Sequence, residues 1–161
     1  MVLALIIAIS CRQQDTKKER HISNGFYEVI AAGPDKTKPG EARPNTMIIP
    51  YNGIYDEQAF DWLQIDTSEM VALELEVLPA IEKDSLQKSR LSITLSEGSS
   101  EKLETFTAAR IMKSVAIVLD GEAITMHKVR DTIHGGTMQI SWCGENACEK
   151  LYTKLKGSVK K

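Results

Sequence analysis

Hydrophobic positions become regular in the second half of the chain. Within Met70–Leu78, Leu73, Leu75 and Val77 alternate with Glu74 and Glu76, and Leu91, Ile93 and Leu95 repeat that period of two. Alternation places apolar side chains on one face, so both stretches predict strands with one wet face. Ile81–Lys88, between them, is a charged connection of hairpin type. Ser99 or Ser100 offers a helix cap ahead of Leu103, Phe106, Thr107, Arg110 and Ile111, spaced at three and four. Glu101 and Glu104 complement the dipole in the first turns of that helix. Val115–Leu119 is an almost continuous apolar strand, as expected in the middle of a sheet. Asp120-Gly121 then predicts a tight hairpin turn, since Asp bonds locally to backbone and Gly accepts positive φ without a Cβ clash. A return strand over Glu122–Val129, a corner at Gly135-Gly136, a short strand at Thr137–Ser141 and a helix over Glu145–Leu155 complete the pattern.

The first half is less regular. Phe26–Ala31 reads as a strand of aromatic and β-branched residues, Gly33–Pro44 as loop, and Thr46–Pro50 as a short apolar piece. Asp56–Leu63 predicts one or two helical turns with Ala59, Phe60 and Leu63 on one side, and Phe60 and Trp62 anchor this extension to the domain. No internal repeat is visible. The order of elements predicts an α+β fold: a mainly antiparallel sheet with two helices packed on one face.

The N-terminus changes the picture of where the domain works. Val2–Ile9 is wholly apolar and is followed by Ser10 and Cys11. A membrane-spanning helix needs about 20 such residues, so the stretch has the length of a signal-peptide core instead. Ala-Ile-Ser-Cys resembles a bacterial lipoprotein cleavage site, which would make Cys11 the lipidated first residue of the mature protein and supply an N-terminal acyl anchor to a lipid membrane. Ala8 stands where a larger aliphatic residue is commoner, and no charged leader precedes the apolar run. A short apolar strand or helix tucked into the core is the competing reading. The resulting division is a signal peptide over 1–11, a polar tether over 12–24, an N-terminal extension over 25–68, a main domain over 69–156 and a basic tail over 157–161. Export would place Cys143 and Cys148 in an oxidising compartment. Five residues apart, they pair only if the backbone turns between them. Cys148 shares a helix face with Leu151, Tyr152 and Leu155, so free buried thiols are favoured over a local disulfide.

With 161 residues, 42% hydrophobic and 26% charged, the chain fits one soluble globular domain. A net charge of −2 and a pI near 5.9 give no nucleic-acid footprint. Candidate chemistry is sparse. Asp120 ends an apolar strand beside a glycine, but that is where a hairpin needs a turn former. Asp131 has His127 and His134 nearby in sequence, which exposed polar positions around a corner explain equally well. Gly135-Gly136 lacks the fingerprint of a phosphate loop, no serine is marked as a nucleophile, and neither histidine completes a zinc spacing with the cysteines. No metal or cofactor is expected. A hydrolase-like enzyme using Asp120 or Asp131/His134 is therefore the disfavoured alternative to a contact function. The contact surface would involve Ile124, Met126, Lys128, Arg130, Gly135 and Gly136, offered to an extended peptide by β-augmentation. A structural envelope lipoprotein with no specific ligand is the third reading.

With those elements placed, the chain resembles the head subdomain of the first large periplasmic domain of the SecD and SecDF protein-export subunits. Leu103 and Thr107 occupy the family's helix positions, Ala116–Gly121 its apolar-Asp-Gly segment, and Ile133, Gly135, Gly136, Gln139, Ile140 and Ser141 its glycine corner and following strand. Met112 stands where the family often has glycine, His134 where it often has proline, and Met126-His127 replaces a small residue and proline. Trp142 and Cys143 depart as well. The resemblance covers roughly Met70–Leu155 and implies a non-enzymatic periplasmic module that contacts unfolded polypeptide or a cell-envelope protein. The family's transmembrane helices have no counterpart after the first ten residues, so the module is expected to act detached from the proton-coupled cycle.

Overall fold

The computed structural model describes residues 21–35, 41, 43–53, 60–141 and 147–159. Among these, the elements run β1 (Gly25–Gly33), β2 (Thr46–Pro50), β3 (Trp62–Ala72), β4 (Ala80–Lys83), β5 (Ser89–Thr94), α1 (Glu97–Ala108), β6 (Ser114–Leu119), β7 (Glu122–Lys128), β8 (Thr137–Ser141) and α2 (Ala147–Leu155). A 3-10 turn at Lys156–Ser158 follows. The strands pair antiparallel in two sheets, one ordered β2-β3-β1-β6-β7 and the other β4-β5-β8. The α+β architecture with two helices against a mainly antiparallel sheet is as expected, except that the sheet is divided in two.

The unbroken apolar run of β6 has a physical cause. Successive strand residues point to opposite faces, and here both faces are covered. Val115, Ile117 and Leu119 enter the main core with Leu103 and Phe106 of α1, Leu91 and Ile93 of β5, and Leu151 and Leu155 of α2. Ala116 and Val118 enter a second core with Tyr27, Leu63 and Ile65. β1 divides the same way, Phe26 to one core and Tyr27 to the other. The second core is enclosed because the sheet curls on itself. Tyr51, just past β2, bridges Ala123 near the start of β7, and the Asn52 N–H donates to the Ala123 carbonyl at 2.8 Å. Residues 25–68 thus supply strands to the same sheet as β6 and β7.

A charged cluster fixes the end of α1 to that sheet. The Arg110 side chain is only 8% exposed; its guanidinium lies 3.7 Å from the Phe106 ring centre, 3.0 Å from Glu28 of β1 and 2.7 Å from Glu69 of β3. Lys113 reaches the other Glu28 oxygen at 2.8 Å. Taking Arg110 and Glu28 out of water is tolerable because they are paired, while Glu69 and Lys113 stay largely in solvent.

Several sequence expectations are corrected. The strand expected over Met70–Leu78 belongs to β3 only as far as Ala72; Leu73 and Leu75 remain buried, while Val77 is 53% exposed. Past Ala72 the chain leaves the ladder, and Leu75 instead makes single bridges to Leu95 and Val159, which ends the alternation. α1 begins at Glu97, so Ser99 and Ser100 lie inside its first turn and Ser96 takes the cap position without a side-chain cap bond. Ile111 is exposed, beyond the end of the helix. Trp62 and Leu63 belong to β3, not to a helical turn; residues 56–59 of that expectation lie outside the described residues. Cys148 is buried as expected but is disulfide-bonded, not a free thiol. A place on an apolar face dictates burial, and a half-cystine sulfur satisfies burial as well as a thiol does. The chain's other cysteines, Cys11 and Cys143, lie outside the described residues.

Candidate functional site

β7 is an edge strand of the five-stranded sheet. Its first residues are covered through the Tyr51–Ala123 bridge, and beyond Ala123 no described strand pairs with its outer side. The Val129 N–H donates to the Lys113 carbonyl at 2.8 Å, and the Val129 carbonyl accepts the Met112 N–H at 2.7 Å, so both polar groups of Val129 face β6. That orientation alternates along an antiparallel ladder, and the pairs Ser114–Lys128, Val115–His127 and Ala116–Met126 continue the register. The backbone polar groups of Met126 and Lys128 therefore face outward.

Beside this edge, on the main-core side, lies an apolar pocket of about 250 Å³. Its walls come from Phe26 of β1, Leu103 and Thr107 of α1, Val115 and Ile117 of β6, Thr125 and His127 of β7, Met138 of β8, and Lys128–Asp131 and Ile133. Thr107 holds the pocket's outer segment in place. Its buried hydroxyl donates to the Leu103 carbonyl at 2.8 Å and accepts the Ile133 N–H at 3.1 Å. This double use gives a reason for threonine four residues after Leu103. Thr125 is fully buried, and its hydroxyl has no hydrogen-bond partner among the described residues. Desolvation holds the His127 imidazole below its ordinary pKa. Lys128 and Arg130 are exposed at the rim, with no ion-pair partner among the described residues.

The structure distributes the expected site residues unequally. Ile124 is 4% exposed and belongs to the main core, so it supports β7 from inside. Met126 is half-buried against the second core. Gly135 is exposed at φ +72°, whereas Gly136 is buried at φ +64°. A Cβ on Gly136 would collide with Ser100 at the start of α1, and its carbonyl accepts the Leu95 N–H at 3.0 Å. That corner therefore seats the helix.

The catalytic alternative is not assembled. Asp120 and Gly121 adopt φ +52° and +81°, the paired positive values of a tight hairpin turn. The Asp120 N–H donates to Asn24 Oδ1 at 2.8 Å, while its exposed carboxylate stands 3.9 Å from Lys154. Asp131 accepts the Thr132 N–H at 2.8 Å, and His134 Nδ1 stands 3.0 Å from Glu104, both side chains in solvent. Asp131 and His134 thus use separate partners. Among the described residues no group of three or more His, Cys, Asp or Glu is arranged to hold a metal. Cys11 lies outside the described residues. Sequence reasoning missed Phe26 and Thr125 as pocket residues; a lone hydroxyl inside the apolar strand was the available signal for the second.

The family model described as SecDF, P1 head subdomain, matches residues 76–158, just over half of the chain. The chain belongs to the SecDF P1 head subdomain family. No curated protein matches it. Among solved structures, SecDF in its super-membrane-facing form aligns over 81% of this chain and 18% of its own, at 18% identity and a TM-score of 0.52. This likeness concerns the fold alone. A membrane component SecDF that enhances protein export aligns over 50% of this chain and 36% of its own, at 27% identity and a TM-score of 0.43. SecDF from Thermus thermophilus, a translocon-associated membrane protein, aligns over 86% and 30%, at 14% identity and a TM-score of 0.46. The chain spans at most 36% of the length of these proteins. Apart from Phe26, every pocket residue lies inside the SecDF P1 head match. Among the described residues no helix is long and apolar enough to cross a membrane.

Proposed function

We propose that this protein is a non-enzymatic periplasmic module that contacts extended polypeptide in protein export, through the outer edge of β7 and the pocket beside it. One observation carries the reading: outward-facing backbone groups at Met126 and Lys128 lie next to the apolar pocket. A chain laid along β7 gains main-chain hydrogen bonds and lowers an alternate side chain into the pocket. Each bond contributes about 0.5–1.5 kcal/mol and a buried aliphatic side chain about 1.5–3 kcal/mol. After ordering costs, affinities on the order of micromolar to millimolar follow, which suits a contact that must be released.

The test is fluorescence anisotropy with a labelled, unstructured peptide rich in valine and leucine. Lys128→Pro removes the outward amide without touching the β6 ladder and weakens binding roughly five- to tenfold, whereas Lys128→Ala retains most of it. Equal binding by the proline variant and the wild type would show that the edge is not the site.

The same proposal places the module at the cell envelope, held by acyl chains on Cys11. The Ala-Ile-Ser-Cys sequence and the polar run after it support the tether. Cys11→Ala shifts the protein out of the detergent phase; unchanged partition removes the anchor from the account.

A further inference from the structure

We propose that the pocket selects a tyrosine side chain, presented by an extended segment with an acidic residue beside it. The inference rests on the polypeptide contact above and names its preferred ligand. Size is the first argument. A cavity of roughly 150 Å³ already accepts a benzene ring, and this pocket offers about 250 Å³ between Phe26, Leu103, Ile117 and Met138. An aromatic ring fits with room for a substituent.

The second argument is the hydroxyl of Thr125. Thr125 is 0% exposed, lines the pocket, and its Oγ1 has no partner among the described residues. Buried polar atoms are nearly always satisfied, and one that is not marks a place where something else supplies the bond. The other threonine of the wall, Thr107, already serves Leu103 and Ile133. A leucine or phenylalanine anchor would fill the volume and leave Oγ1 orphaned. A phenol both donates and accepts, so tyrosine meets the apolar walls with its ring and Thr125 with its hydroxyl.

The third argument is charge. Lys128 and Arg130 stand at the rim, exposed and without ion partners among the described residues. Asp131, also at the rim, accepts the Thr132 N–H and keeps its charge, so the rim carries a surplus of one positive charge. A carboxylate next to the anchor meets that surplus, and a lysine there is repelled.

The probes are two fluorescein-labelled nine-residue peptides with a central tyrosine or phenylalanine between valines, followed by glutamate. One satisfied hydrogen bond corresponds to roughly a five- to tenfold change in affinity, so the tyrosine peptide binds that much more tightly. Thr125→Val keeps the shape and removes the hydroxyl; it equalises the two peptides, whereas Thr125→Ser preserves the preference. Replacing the glutamate by lysine weakens binding several-fold. Measurable but equal binding of the two peptides to the wild type overturns the tyrosine selection and leaves the polypeptide contact standing. Binding of neither peptide overturns both.

Discussion

Replacing Met112 with glycine stabilises the domain. Met112 connects α1 to β6 and holds φ at +68°, a left-handed conformation that costs an L-residue about 1–2 kcal/mol. Its side chain is 62% exposed, so little burial is lost on truncation. Its N–H bond to the Val129 carbonyl, 2.7 Å long, belongs to the backbone and survives the change. Glycine escapes the steric cost but loses more freedom on folding, about 0.5–1 kcal/mol. The net gain is about 0.5–1 kcal/mol, which for a chain of this size raises Tm by roughly 1–4 °C. Urea denaturation followed by circular dichroism measures the difference. Met112→Ala separates the causes, since alanine keeps the same backbone strain and stays within about 0.5 kcal/mol of wild type. A glycine variant less stable than wild type, or an alanine variant stabilised equally, refutes strain at this position.

Three further outcomes follow from the packing. Thr107→Val leaves the Ile133 N–H without its acceptor and costs about 1–3 kcal/mol; amide exchange accelerates at Ile133 before it does in β6. Arg110→Ala strips Glu28, 12% exposed, of one of its two cations and costs roughly 3 kcal/mol by denaturant titration. Reduction of the Cys148 disulfide costs about 2–4 kcal/mol, and non-reducing peptide mapping identifies its partner. Cys143 is expected, because a lipidated Cys11 has no free thiol, and a Cys11–Cys148 peptide would contradict the anchor.

Much of the fold was legible because local chemistry and tertiary structure agree. Phe26–Ala31 lies within a strand as expected, the turn at Asp120-Gly121 has the dihedrals its residues favour, and the continuous run in β6 faces two cores. The reading failed where long-range pairing overrides a local period. Val77 continues an alternation that the chain has already abandoned to bridge Leu95 and Val159. The division into two sheets was equally hidden, because a strand's sequence does not name its neighbour. Of the site, the rim residues Lys128 and Arg130 were visible as polar positions next to a strand. The pocket itself was not, since Phe26 and Met138 lie more than a hundred residues apart and meet only across the folded core.

Amide hydrogen exchange along β7, with and without an extended apolar peptide, tests the contact most directly. The outward N–H groups of Met126 and Lys128 have no strand partner among the described residues and exchange fast in the free protein. Saturating peptide is expected to slow those two amides strongly and to leave His127, already in the β6 ladder, little changed. Protection confined to another surface, or peptide bound with Met126 and Lys128 exchanging as before, contradicts the account.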